Sequence, residues 1–153
     1  MRYAIDGFGV GELLLDGDVL VHHELPSGRI AGPETLSGGV AAELVSRIRR
    51  FFAGEAVSFA DVRLDDDGLT PFQGEVVRAL REIPWGELVT YGELAALAGR
   101  PGAHRAAGTV CAGNRWPLVV PCHRVVGAAG IGGYGSSGVG FKRRLLALEG
   151  LRL

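Results

Sequence analysis

Thr90-Tyr91-Gly92-Glu93-Leu94-Ala95-Ala96-Leu97-Ala98-Gly99-Arg100-Pro101-Gly102-Ala103-His104-Arg105-Ala106-Ala107-Gly108-Thr109-Val110-Cys111-Ala112-Gly113 reads as two short helices joined by a tight turn. Thr90 with Glu93 three residues on has the form of a capping box, which opens a helix over Tyr91–Leu97 that stops at Gly99. The connection Gly99–Gly102 leads into a second helix, about Ala103 to Ala112, ended by Gly113. Helix, short glycine-containing turn and helix is the pattern of a helix-turn-helix, which also occurs as a plain packing unit. The second helix starts His104-Arg105 and is then small: Ala106, Ala107, Gly108, Thr109. A helix that reads base sequence carries several long polar side chains. This one suits close approach to a backbone, with Arg105 placed to reach into a base stack, or else tight packing inside the protein.

Downstream lies Pro121-Cys122-His123-Arg124-Val125-Val126, which sets one of only two cysteines beside a histidine. A thiolate is a far better nucleophile than a thiol, and a neighbouring base makes more of it. Taken alone the pair means little, because a free cysteine is usually a small buried hydrophobe. A glycine-rich loop, Gly127 to Gly140, follows with Tyr134, Ser136 and Ser137. It lacks the Gly-Lys-Ser/Thr ending of a phosphate loop. A last helix, about Val139 to Leu148, carries Lys142, Arg143 and Arg144 and precedes Glu149.

Upstream, Tyr3-Ala4-Ile5, Gly11 to Leu15 and Val19 to His23 read as short strands separated by Gly and Asp turns. Gly28 to Gly39 reads as loop. A helix follows over about Val40 to Ala53, and Ala56 to Leu64 is a further strand candidate. Asp65-Asp66-Asp67-Gly68 is the expected domain boundary, giving domains 1–68 and 69–153. Thr70-Pro71 opens a helix whose apolar face is Phe72, Val76, Val77, Leu80 and Ile83. The fold class expected is α+β. It comprises an N-terminal α/β domain with a small antiparallel-type sheet and one helix, and a mainly helical C-terminal domain with a winged-helix-like helix-turn-helix.

The 153 residues are 47% hydrophobic, enough for an ordinary core. No apolar run reaches the roughly 18–20 residues of a membrane span, and no signal peptide is visible, so a cytoplasmic location is expected. Two cysteines make neither a disulfide framework nor a four-cysteine zinc site, and no cofactor or metal is expected. His22-His23 read as strand residues with no third ligand at useful spacing. The net charge of −1 hides an asymmetry. Residues 1–68 carry 6 Lys+Arg against 12 Asp+Glu, and residues 69–153 carry 10 against 5. A polyanion-binding face would therefore lie in the second half.

Read together, Pro71-Phe72-Gln73, Ile83-Pro84-x-Gly86, Tyr91-x-x-Leu94-Ala95, Gly99-x-Pro101, Arg105-Ala106-x-Gly108, Asn114, Pro117, Pro121-Cys122-His123-Arg124-Val125 and Leu145-Leu146 with Glu149 closely resemble the methylated-DNA–protein-cysteine methyltransferases. These are the O6-alkylguanine-DNA alkyltransferases. The resemblance spans about Pro71 to Gly150. It implies a monomer that binds the minor groove of double-stranded DNA containing O6-alkylguanine, flips the base out and moves the alkyl group onto its own cysteine. The sequence leaves open whether O4-methylthymine is accepted as well. By the same resemblance Cys122 is the acceptor, His123 its base through a water, and Glu149 the group that orients His123. Asn114 holds the turn before the active-site strand. Arg105 fills the space of the flipped base, and Tyr91 donates to the guanine edge or its phosphate. Carbonyls of Cys122 and Val125 accept from the exocyclic amine. Tyr134 with Ser136 or Ser137 lines the pocket. Arg124, Ala106, Gly108 and Thr109 are counted with the DNA-binding residues.

Two departures from the family pattern stand out. Arg115-Trp116 follows Asn114 where a proline often comes next, which predicts a less rigid hinge. The Tyr134 loop differs in spacing from the usual form. Competing readings are an alkyltransferase-like lesion binder without chemistry, a sequence-specific helix-turn-helix regulator, and a thiol hydrolase. Cys122 argues against the first, whose members replace the acceptor, commonly with tryptophan. The small second helix argues against the regulator, and the basic half against the hydrolase.

Overall fold

The computed structural model describes residues 1–35 and 38–153. The loop expected over Gly28 to Gly39 therefore includes two positions, 36 and 37, that lie outside the described residues. Contacts divide the chain into two compact units. One is Met1–Asp65 together with Arg115–Pro117; the other is Asp66–Asn114 with Leu118–Leu153. The excursion of Arg115–Pro117 into the first unit is not visible in the sequence. Its physical reason is Trp116, which is fully buried and donates its indole N–H to the Leu20 carbonyl at 3.0 Å.

In the first unit, strands β1 (Arg2–Ile5), β2 (Gly9–Asp16) and β3 (Val19–Ser27) form an antiparallel meander, β1-β2-β3. Gly11 sits opposite Tyr3 in the β1–β2 register, and a Cβ at Gly11 would lie 2.4 Å from the Tyr3 ring. Helix α1 (Val40–Phe52) buries Ala41, Leu44, Val45, Ile48, Phe51 and Phe52, the stripe expected of a 3.6-residue period.

The sheet is mixed rather than antiparallel throughout. Strand β4 (Arg63–Leu64) runs parallel to β3, pairing Val19 with Arg63 and Leu20 with Leu64. A strand that returns through a crossover helix, here α1, can enter the sheet in this direction, whereas a tight turn could not bring it in so. The strand expected over Ala56 to Leu64 shrinks to those two residues. Phe59 and Val62 are buried, but Val62 N–H donates to Phe59 O at 3.1 Å, so the apolar pair anchors a turn.

In the second unit, α2 (Pro71–Arg81) starts with proline in its first turn behind a complete Thr70/Gln73 capping box. The pair α3 (Tyr91–Leu97) and α4 (His104–Ala112) follows. Thr90 and Glu93 form the expected box, with Glu93 N–H donating to Thr90 Oγ1 and Thr90 N–H to Glu93 Oε1, both at 3.1 Å. Helix α5 is Gly138–Leu148. Strands β5 (Val89–Thr90) and β6 (Val125–Val126) pair in parallel and bring the start of α3 beside the end of the Cys122 turn. Cys122–Arg124 is a 3-10 turn and not the strand expected there. Among the described residues no helix is long and apolar enough to cross a membrane.

The Gly11 contact is testable. Gly11→Ala adds one methyl where the Tyr3 ring already stands, and overpacking of this kind costs about 1–3 kcal/mol. Urea unfolding should report that loss, although alanine is ordinarily tolerated in a strand.

Candidate active site

Helix α5 carries the site's charge framework on one face. Lys142, Leu145 and Leu146 are buried on it, and Glu149 caps its end seven residues after Lys142, two turns away on the same side. The Glu149 carboxylate is buried and accepts from three donors. His123 Nε2 lies 2.6 Å from Oε2. Arg124 Nε donates to Oε1 at 2.9 Å and to Oε2 at 3.1 Å, and Gly86 N–H donates to Oε1 at 2.8 Å. Burial works to raise the Glu149 pKa, but these donors outweigh it and hold the group below the usual carboxylate range. A carboxylate only accepts, so His123 carries its proton on Nε2 and its basic nitrogen is Nδ1. Burial, only partly opposed by Glu149, pushes His123 below the ordinary imidazole value, so the ring is neutral.

Cys122 sits in the same turn, with its side chain in a different environment. The Asn114 amide nitrogen donates to Cys122 Sγ at 3.1 Å and to Val120 O at 2.9 Å, closing the chain from 114 to 122 into a loop. Within that loop Leu118 has a φ of 75°, the only positive value at a non-glycine among the described residues. Such a backbone costs of order 1–3 kcal/mol and persists only where its surroundings fix it. Burial raises the Cys122 pKa above the ordinary thiol value, against lowering contributions from Asn114, Lys142 and Tyr134. The resting thiol is therefore protonated and needs a base. The second cysteine, Cys111 on α4, is buried as well and pushed up to about 12, with burial the main cause. Among the described residues no such amide donor to its sulfur is seen, and its thiol is protonated at neutral pH.

Lys142 is the chain's single lysine against fifteen arginines. It is fully buried, and its Nζ donates to Val125 O at 2.5 Å, Ile131 O at 2.6 Å and Gly133 O at 3.1 Å. A point charge with three rotatable donors satisfies three converging carbonyls, which a planar guanidinium cannot. The contacts staple the glycine-rich loop. They also place a cation 5.9 Å from the centre of the Tyr91 ring. The loop passes close to that ring: a Cβ at Gly132, where φ is 75°, would lie 3.1 Å from Tyr91. Tyr91 is partly exposed, and burial raises its pKa, so its hydroxyl remains a donor. Burial, reinforced by Cys122 beside it, likewise keeps Tyr134 protonated. The Tyr134 hydroxyl faces Cys122 and completes no hydrogen bond of regular geometry among the described residues.

Sequence reasoning named Cys122, His123, Glu149, Asn114, Tyr91 and Tyr134, and the fold brings them into one unit. It missed Lys142, whose signals were its being the only lysine and its standing on the Glu149 face of α5. It misplaced Arg124. That guanidinium is buried on Glu149, and its Nη1 donates to Ile83 O at 2.7 Å, so its donors are spent inside the protein. The Val125 carbonyl expected to meet a base already accepts from Lys142. Ser136 and Ser137 are exposed in a 3-10 turn, Gly135–Ser137, before α5. On α4, Arg105, Ala106 and Thr109 are exposed and Gly108 half-buried, while Ala107 and Cys111 face inward. Among the described residues no His/Cys/Asp/Glu group could hold a metal.

The buried imidazole ties stability to pH. In the unfolded chain a histidine takes up its proton near pH 6.5, whereas His123 resists it to lower pH, so acid favours unfolding. His23, in the first unit, is held neutral down to about 4, with burial the main cause, and acts in the same direction. Each contributes a loss of up to about 1.4 kcal/mol per pH unit below roughly 6.5. Glu149, also depressed, adds to the loss below about 4.3. Urea midpoints should fall steadily from pH 7 to pH 5; a flat profile would contradict the neutral-histidine assignment.

The model of the 6-O-methylguanine DNA methyltransferase DNA binding domain matches residues 71–151. A methylated-DNA–protein-cysteine methyltransferase of Methanosarcina acetivorans is 41% identical over 98% of this chain and 99% of its own. The fold is similar to that of Mycobacterium tuberculosis OGT in complex with DNA, with a TM-score of 0.80, 39% identity, and coverage of 97% of this chain and 90% of that one. It is also similar to the O6-methylguanine-DNA methyltransferase of Pyrococcus kodakaraensis strain KOD1, at a TM-score of 0.74 and 25% identity over 99% and 98% of the two chains. With a matching family model over more than half its length and a relative of this identity along almost all of it, the chain belongs to the methylated-DNA–protein-cysteine methyltransferase family.

Proposed function

We propose that this chain repairs alkylated double-stranded DNA by direct reversal, taking the alkyl group from O6 of guanine onto Cys122. The observation that carries the assignment is the Cys122 thiol held by Asn114, in the same turn as a neutral His123 bound to Glu149. The thiol proton passes, through a water, to Nδ1 of His123. The Glu149 carboxylate stabilises the imidazolium that forms, as the acid does in hydrolytic triads. The thiolate attacks the alkyl carbon, an S–C bond forms, and the C–O6 bond breaks with its electron pair leaving on the guanine. The Tyr91 hydroxyl donates to that developing charge. The Asn114 amide and the Tyr134 hydroxyl support the thiolate, and Lys142 adds a nearby positive charge. The thioether is stable, so each molecule acts once.

Helices α3 and α4 work as a helix-turn-helix, with the parallel β5–β6 pair and the loop after it in place of a wing. Its exposed small face, Ala106 and Thr109 with Gly108 behind them, lets α4 lie close in the minor groove. Arg105 projects from the start of α4 to fill the stack when the base is flipped. Ser136 and Ser137 border the entrance through which the base arrives. The protein acts as a monomer in the cytoplasm. A lesion binder without chemistry has no use for a protonated thiol placed beside a base, so that alternative is disfavoured.

Mass spectrometry after incubation with an O6-methylguanine duplex should show one methyl group added at Cys122 and none in Cys122→Ala. Unmodified protein that still binds the duplex would overturn the transfer. Arg105→Ala should slow repair of the duplex far more than reaction with the free alkylated base. Equal losses on both substrates would remove the finger role.

A further inference from the structure

His23 is buried and takes no part in the site described above, yet both ring nitrogens and its backbone N–H are hydrogen-bonded. Its Nε2 lies 2.5 Å from the Tyr3 hydroxyl, and its Nδ1 lies 2.7 Å from Pro117 O. Its backbone N–H donates to Arg115 O at 2.9 Å. A carbonyl only accepts, so Nδ1 carries the proton and Nε2 accepts from Tyr3. The Pro117 carbonyl thereby fixes the tautomer, and Tyr3 supplies the donor that Nε2 then needs. In the other tautomer, a lone pair on Nδ1 would face the lone pairs of Pro117 O. Burial holds the ring neutral, which keeps this arrangement in place.

The partners of His23 are the informative part. Arg115, Trp116 and Pro117 are grasped on both backbone and side chains: the Trp116 indole donates to Leu20 O at 3.0 Å, and an Arg115 Nη donates to Asp65 O at 3.3 Å. These three residues are the apex of the loop that Asn114 closes onto Cys122 Sγ and Val120 O. The residue before them is Asn114 itself, and the one after is Leu118 with its positive φ. Fixing the apex at Pro117 limits what the strained Leu118 and the Asn114 amide can do. The hinge that lacks its usual proline after the asparagine is thus held by hydrogen bonds instead.

We propose that His23 is a positioning residue for alkyl transfer: through the Pro117 carbonyl it fixes the 114–122 loop, so that the Asn114 amide stays on the Cys122 sulfur. The proposal rests on Cys122 being the acceptor. It goes beyond that reading by assigning a role in the reaction to a tyrosine–histidine pair in the first unit.

The test uses the full chain with His23→Ala, His23→Asn and Tyr3→Phe. Three quantities are read: the single-turnover transfer rate at saturating methylated duplex, duplex affinity, and the pH dependence of iodoacetamide labelling at Cys122, followed by peptide mass spectrometry. His23→Ala should slow transfer about tenfold or more, the scale of a small misplacement at a reacting group. It should also raise the apparent pKa of Cys122 and leave duplex affinity unchanged. His23→Asn, whose amide nitrogen can stand in for Nδ1, should restore both rate and pKa. Tyr3→Phe, which leaves Nε2 without its donor and the ring held only from Pro117, should fall between. A folded His23→Ala with wild-type rate and wild-type labelling profile overturns the proposal, as does His23→Asn matching His23→Ala. If His23→Ala does not fold, Tyr3→Phe decides: a raised Cys122 pKa with slowed transfer supports the role, and wild-type values for both refute it. Failure of the wild-type protein to methylate Cys122 would instead refute the acceptor assignment.

Discussion

The buried carboxylate of Glu149 is the interaction on which the rest of the site depends. It gathers the end of α5, the turn at Gly86 and the Cys122–Arg124 turn through donors 2.6–3.1 Å away. A lone buried anion would be costly, but here an arginine, an imidazole N–H and a backbone N–H share it. Removing it would strand the Arg124 guanidinium in the interior, a loss of about 3–5 kcal/mol for a broken buried pair. The same contact sets the His123 tautomer, and with it which nitrogen can take a proton. Structure and chemistry therefore share one set of hydrogen bonds.

The two cysteines show what that arrangement contributes. Both are buried, and burial raises both thiols. At Cys111 burial and the neighbouring Cys122 outweigh what Lys142 lowers, and its thiol stays protonated. Cys122 has an amide on its sulfur, a lysine near it, a phenol facing it and a histidine next in sequence. The resting protein thus keeps a protonated thiol. A nucleophile consumed in a single event is protected from casual alkylation or oxidation by the same burial. Lys142 serves two ends from one position. It satisfies three loop carbonyls and puts a positive charge near the sulfur, at the expense of being desolvated itself.

Much of this was legible in the chain. Capping boxes at Thr90/Glu93 and Thr70/Gln73, the glycine stops and the apolar stripe of α1 are local patterns, and the helices stand where those patterns put them. Cys122, His123, Asn114 and Glu149 were named from sequence because they occur in a recognisable order, and the fold pairs Asn114 with Cys122 and His123 with Glu149. Two elements were misread for local reasons. Phe59 and Val62 look like strand residues until the turn that joins them is seen. Alternation would turn Cys122 and His123 to opposite sides of a strand, but a 3-10 turn lets one meet Asn114 and the other Glu149.

What the sequence determined by itself is therefore most of the elements and the candidate site residues, since caps, periodicity and motif order act over a few residues. The tertiary structure alone decided the partners. Arg124 resembles a surface cation in sequence and is a buried brace; Lys142 resembles part of a basic run and is the staple of a loop. His22-His23 resembles a bland strand pair, yet His23 holds Pro117, ninety-four positions away. Hydrogen-bond partners at such separation are fixed by packing of whole elements, and no local pattern encodes them.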